Sequence, residues 1–153
     1  MDGQTERFTD FIARYENGFN GGDFTKLLEL WSPDCEEPWY QPEEFDEPLI
    51  GWPALEKYVA SLSGTFESFE LKTVGHRTKS GPADSLLFMF TLYWRGLLKG
   101  AQAPIASTVQ ASGLLHEHFG ELKLLHYAES GPSALPFVRK AYVRQAGEGV
   151  WST

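Results

Sequence analysis

The sequence predicts an α+β fold in which helices pack on one side of a curled antiparallel sheet. Up to about residue 64 the apolar residues recur at helical spacing, and from residue 66 the pattern changes to period two over four segments. The size agrees. At 153 residues, 42% hydrophobic and 14% aromatic, the chain is one domain's worth and apolar enough to bury a core without disulfides. We expect a single domain over 1–153 with its core at about 5–130.

Phe8, Phe11, Ile12, Tyr15 and Phe19 form one helical face, and "NGFNGGD" ends that helix with glycines. Asp23 then reads as the N-cap of a second helix, "FTKLLELW", which Ser32-Pro33 stops. "GWPALEKYVASLSG" is the third, with Pro53 in its first turn and Leu55, Tyr58, Val59 and Leu62 on one stripe. Four strands are predicted at 66–78, 85–96, 104–118 and 121–129, the last two joined by a tight turn at Phe119-Gly120. A closing helix is predicted at 133–146, capped by Ser133. The second of these strands is apolar on both faces, so one face meets the helices and the other is expected to meet a second copy of the chain.

Charge narrows the partners. Twenty-one acids against 13 bases give a net −8, which argues against nucleic acid or an anionic membrane surface. Seven of the acids lie in "DCEEPWYQPEEFDEPL", residues 34–49; without them 14 acids face 13 bases, so the imbalance is local. No apolar run reaches the ~20 residues of a membrane span, and "MDGQTERF" has no signal-like pattern, so a cytoplasmic protein is expected. Cys35, the single cysteine, reads as a packing residue. No dinucleotide, Walker, nucleophile-elbow or His-Glu-x-x-His motif occurs.

"ARYENGFNGGDFTKLLELWSPDC", with its mid-helix tyrosine and Gly-Asp turn, "GWPALEKYV" and "FGELKLLHYAE" resemble the NTF2-like superfamily, in particular its ketosteroid isomerase and SnoaL-like polyketide cyclase branches. The resemblance spans most of residues 8 to 130. It implies a cystatin-like cone, with three N-terminal helices and the sheet enclosing an apolar pocket, and a homodimer through the outer sheet face. It also implies a cofactor-independent enzyme. Tyr15 matches the family's oxyanion-stabilising tyrosine, and Trp31 replaces a supporting tyrosine. The catalytic aspartate falls on Trp39 and the second oxyanion donor near Leu114, so two of the three catalytic groups are missing. That argues against steroid isomerisation of the usual kind.

Strand parity suggests replacements. With a two-residue turn at Phe119-Gly120, one face of the last two strands carries Gln110, Ser112, Leu114 and His116 opposite Glu129, Tyr127, Leu125 and Lys123. We take this more polar face as the pocket interior. His116 is then the acid/base candidate, oriented by Glu129 or Tyr127, with Tyr15 as an oxyanion donor. Trp31, Trp39, Tyr40, Tyr58, Tyr93, Leu114 and Tyr127 are the substrate-binding candidates. The same pairing places His126 on the face opposite His116 and His118, which argues against a metal site.

The expected function is therefore cofactor-free proton transfer on a hydrophobic, aromatic or polycyclic carbonyl or phenolic substrate, of isomerase, cyclase, dehydratase or lyase type. The alternatives are a non-catalytic carrier or sensor of an apolar ligand and a dimeric interaction module with a filled cavity. The acidic stretch is expected to be a pocket wall over "DCEEPWY" and a rim or lid over "QPEEFDEP". Glu36 and Glu37 are its candidates for a relocated base.

Overall fold

The computed structural model describes residues 2–131. Helix α1 (Gly3–Asn20) starts at Asp2, whose carboxylate accepts a hydrogen bond from the Thr5 amide at 2.8 Å, and buries Phe8, Phe11 and Tyr15. Asn20 ties its end to the sheet by donating to the Leu71 carbonyl and accepting from the Leu71 amide. The expected second helix is a 3₁₀ segment, Phe24–Leu30, started by Asp23. Helix α2 (Trp52–Thr65) has proline in its first turn and buries Leu55, Val59 and Leu62.

The four long strands are β3 (Phe66–Ser80), β4 (Leu86–Leu98), β5 (Ile105–His118) and β6 (Glu121–Ser130). Two more, unforeseen, come from the acidic stretch: β1 (Trp39–Gln41) and β2 (Leu49–Ile50). Together they form one sheet in the order β2-β1-β6-β5-β4-β3. β1 runs parallel to β6, with Tyr40 opposite Tyr127, and every other pairing is antiparallel. The predicted closing helix at 133–146 lies outside the described residues.

The core lies between the helices and the inner sheet face, where Phe11, Tyr15, Leu86, Phe90, Leu92, Val109, Leu115 and Leu124 are almost wholly buried. Each such side chain contributes about 1.5–3 kcal/mol by leaving water. β3 bulges between Val74 and Arg77, with Gly75 at φ 67°, and this helps to curl the sheet. Beside the bulge, Glu16 of α1 accepts hydrogen bonds from the Thr73 amide and hydroxyl, and the same hydroxyl lies 2.7 Å from His76 Nε2. His76 therefore belongs to a helix-to-sheet tie.

A second bulge decides which residues face the cavity. The Phe119-Gly120 turn sets His118 opposite Glu121 as expected, and Leu115 meets Leu124, but Leu114 then meets His126, leaving Leu125 as the extra residue. Before the bulge Leu122 and Leu124 face inward, and after it Tyr127 and Glu129 do. Opposite them, Val109, Ala111, Gly113 and Leu115 are the inner residues of β5. The expected interior of β5 is thus reversed, and Gln110, Ser112, Leu114 and His116 lie on the outer face. His126 shares that face with His116, contrary to the uninterrupted pairing. Among the described residues no three potential metal ligands converge.

The outer face also carries Val74, Met89 and Tyr93, all exposed. No helix of the described residues is long and apolar enough to cross a membrane.

Candidate functional site

A cavity of about 340 Å³ opens between α2, the wide end of the sheet and the acidic stretch. Phe19, Tyr40, Phe45, Tyr58, Phe66, Phe69 and Trp94 supply its aromatic wall, and Leu62, Leu92 and Val109 part of its aliphatic floor. Its charged groups are Glu43, Glu44 and Glu129. A lining this apolar, with few polar groups, is the usual make-up of a small-molecule site.

Glu129 is the chemically distinctive member. The β6 bulge turns it inward, and the parallel β1 brings Tyr40 beside it. The Tyr40 hydroxyl donates to Glu129 Oε1 at 2.8 Å and the Tyr127 hydroxyl to Oε2 at 2.9 Å. Behind them, the Tyr15 and Tyr127 hydroxyls are 2.5 Å apart. Each phenol has one proton, so with Tyr127 donating to an ionised Glu129, Tyr15 must be the donor to Tyr127. The result is a Tyr15–Tyr127–Glu129–Tyr40 chain in which every proton points toward the carboxylate. The rings also pack together: Tyr40 stacks on Tyr127 with centroids 5.2 Å apart.

Burial pushes the Glu129 carboxyl up to about 7, helped by the nearby charges of Glu44 and Glu43, while the hydrogen bonds from Tyr40 and Tyr127 hold it down. Burial and then the Glu129 charge push the phenols of Tyr15, Tyr40 and Tyr127 well above their ordinary range. At neutral pH the phenols keep their protons and Glu129 exchanges its own. Burial also raises Glu43, whose Oε1 accepts from Trp94 Nε1 at 2.9 Å. Beside Tyr40, with ring centroids 5.3 Å apart, Tyr58 donates to Glu44 at 2.7 Å.

Of the residues singled out from sequence, Tyr40, Tyr58 and Glu129 line the cavity. Tyr127 and Tyr15 stand behind Glu129, so Tyr15 reaches the site through Tyr127 and not by its own hydroxyl. Trp31 is buried behind Tyr40 with ring centroids 6.1 Å apart. Four candidates lie elsewhere. Trp39 alternates with Tyr40 along β1, so it points outward, 52% exposed, and donates to Glu37. Tyr93 alternates with the inward Leu92, and Leu114 and His116 flank the inward Leu115. Glu36 and Glu37 do not border the cavity, whereas Glu43, Glu44 and Phe45, from the segment expected as a rim or lid, line it. The signal that could have found them is Phe45, an aromatic set among acids that needs a surface to cover.

No family model and no curated protein matches the chain by sequence. Solved structures match it closely in fold. A proposed dehydratase of the NTF2-like family from Streptomyces avermitilis superposes with a TM-score of 0.73 at 16% identity, covering 86% of this chain and 97% of that one. A proposed scytalone dehydratase from Novosphingobium aromaticivorans gives 0.71 at 12% identity, over 84% and 83%. A type 2 hexachlorocyclohexane dehydrochlorinase gives 0.65 at 11% identity, over 84% and 85%. By its architecture, then, this chain has the NTF2-like fold.

Proposed function

We propose that the cavity is the active site of a cofactor-independent enzyme in which Glu129 removes a proton from carbon, next to a carbonyl or phenolic oxygen of a hydrophobic substrate. The observation that carries this reading is the partly buried Glu129 carboxyl, held at about 7 on the cavity wall by two tyrosine donors. A base of that pKa is half ionised at neutrality, where its protonation state and its basicity are jointly most useful. The similar folds named as dehydratases and a dehydrochlorinase favour an elimination over other outcomes.

The ionised carboxylate takes the proton and the substrate keeps the electron pair as an enolate. In an elimination that pair forms a carbon–carbon double bond as a hydroxyl leaves from the neighbouring carbon, and protonated Glu129 returns its proton to make water. In an isomerisation the proton returns to a different carbon. Glu129 ends as it began in both. Tyr40 and Tyr127 stabilise the carboxylate, and Tyr58, beside Tyr40, could donate to the substrate oxygen as charge builds there only by giving up its hydrogen bond to Glu44.

The test is proton exchange, which needs no knowledge of the natural substrate. The protein should catalyse deuterium incorporation next to the carbonyl of 2-tetralone in D₂O, followed by NMR. Glu129→Gln should slow it by about 10² or more, the usual contribution of a positioned base. Equal rates for the two proteins would remove Glu129 from this role.

A further inference from the structure

The three charged groups around the cavity are all glutamates, and among the described residues no lysine, arginine or histidine lines it. None of the three takes part in an ion pair within the described residues. Glu43 and Glu44 enter from the loop after β1, and Glu129 from β6. The titratable groups facing the space are these three with Tyr40 and Tyr58. A substrate carrying a carboxylate or phosphate would meet negative charge that no described residue compensates, in a half-enclosed, apolar setting, at a cost of several kcal/mol.

The aromatic wall is placed to do more than exclude anions. Trp94, whose indole N–H is committed to Glu43, stacks on Phe69 with centroids 5.4 Å apart, and Phe66 stands edge-on to both. Ring faces beside carboxylates are the arrangement that holds an alkylated ammonium, through cation–π attraction with a charge partner nearby. The cavity volume suits such a molecule with one ring attached.

We infer that the ligand of this cavity carries a cationic nitrogen, an amine or quaternary ammonium on an apolar or aromatic skeleton, with the cation near Glu43 and the Trp94 wall. The inference rests on the cavity being the substrate site, as proposed above, and adds the class of substrate.

The experiment compares two probes of the same shape, benzyltrimethylammonium and neopentylbenzene, by ligand-observed NMR on the full chain. At pH 8 the cation should bind about tenfold tighter than its neutral isostere, the scale expected of a desolvated cation–π contact. That preference should shrink as pH falls through about 7 and Glu129 takes up its proton. Glu43→Gln should weaken the cation several-fold and leave the neutral probe unchanged. Equal or tighter binding of neopentylbenzene would overturn the cationic class while leaving the Glu129 exchange result intact. Binding of neither probe would overturn both the class and the cavity as a binding site.

Discussion

Tyr40 of β1 and Glu129 of β6 meet across the parallel strand pair, phenol hydroxyl to carboxylate Oε1 at 2.8 Å. The contact exists because a three-residue strand from the acidic stretch is added to the sheet edge, which turns Tyr40 inward and Trp39 outward. The basicity of Glu129 depends on it.

Removing that donor should raise the carboxyl further. A hydrogen bond to a charged group is worth about 1.5–3 kcal/mol, so Tyr40→Phe should move the Glu129 midpoint up by about one unit or more. The pH dependence of 2-tetralone exchange would show it as a shift of the rising limb to higher pH. An unmoved limb would mean that Tyr40 does not support the ionised form.

Tyr127→Phe should cost more stability than Tyr40→Phe. It removes the second donor to Glu129 and also leaves the buried Tyr15 hydroxyl without its partner. An unsatisfied buried hydroxyl costs about 1–3 kcal/mol. Urea unfolding of the two variants side by side measures the difference.

Folding stability should fall as pH rises from about 4.5 to 7. Glu129 has a raised pKa in the folded protein, so over this window the native state binds more protons than the unfolded state, and stability is lost as pH climbs toward the folded value. The full effect of a shift from 4.5 to about 7 is on the order of 3 kcal/mol. Glu129→Gln should therefore flatten the pH dependence and be relatively most stable at pH 8. Denaturant midpoints at pH 5 and pH 8 check the sign.

Gly113→Ala should destabilise the fold by about 1–3 kcal/mol, the usual range for overpacking. A Cβ at this inner position of β5 would collide with the His126 carbonyl oxygen and lie 2.8 Å from the Phe88 ring. Phe88 in turn stacks on Tyr127 with centroids 6.2 Å apart, so the strain would reach the tyrosine chain. A lowered urea midpoint together with a shifted exchange profile is the expected pair of results.

Much of the fold was legible because periodicity and turn chemistry are local. The four long strands, the Asp23 cap and the Phe119-Gly120 turn all follow from residues a few positions apart. The site was legible in part. Tyr40, Tyr58 and Glu129 were picked out and line the cavity, Glu129 only as a partner that orients His116, while His116, Leu114, Tyr93 and Trp39 were assigned to a cavity they do not face. On β5 the reason is Leu125, one unpaired residue that reverses face parity between two halves of a strand and leaves no mark in the apolar pattern. In the acidic stretch, β1 pairs with a strand some 87 residues away, by Tyr40 against Tyr127, so no local pattern announces it. His116→Gln should accordingly leave 2-tetralone exchange unchanged.

The proposed function requires Glu129 to be a base poised at neutrality. Its direct test is an NMR titration of the side-chain carboxyl carbons in uniformly ¹³C-labelled protein, with Glu129→Gln to assign the resonance. A midpoint near 7 is predicted. A midpoint below about 5, the range of an ordinary glutamate, would contradict it.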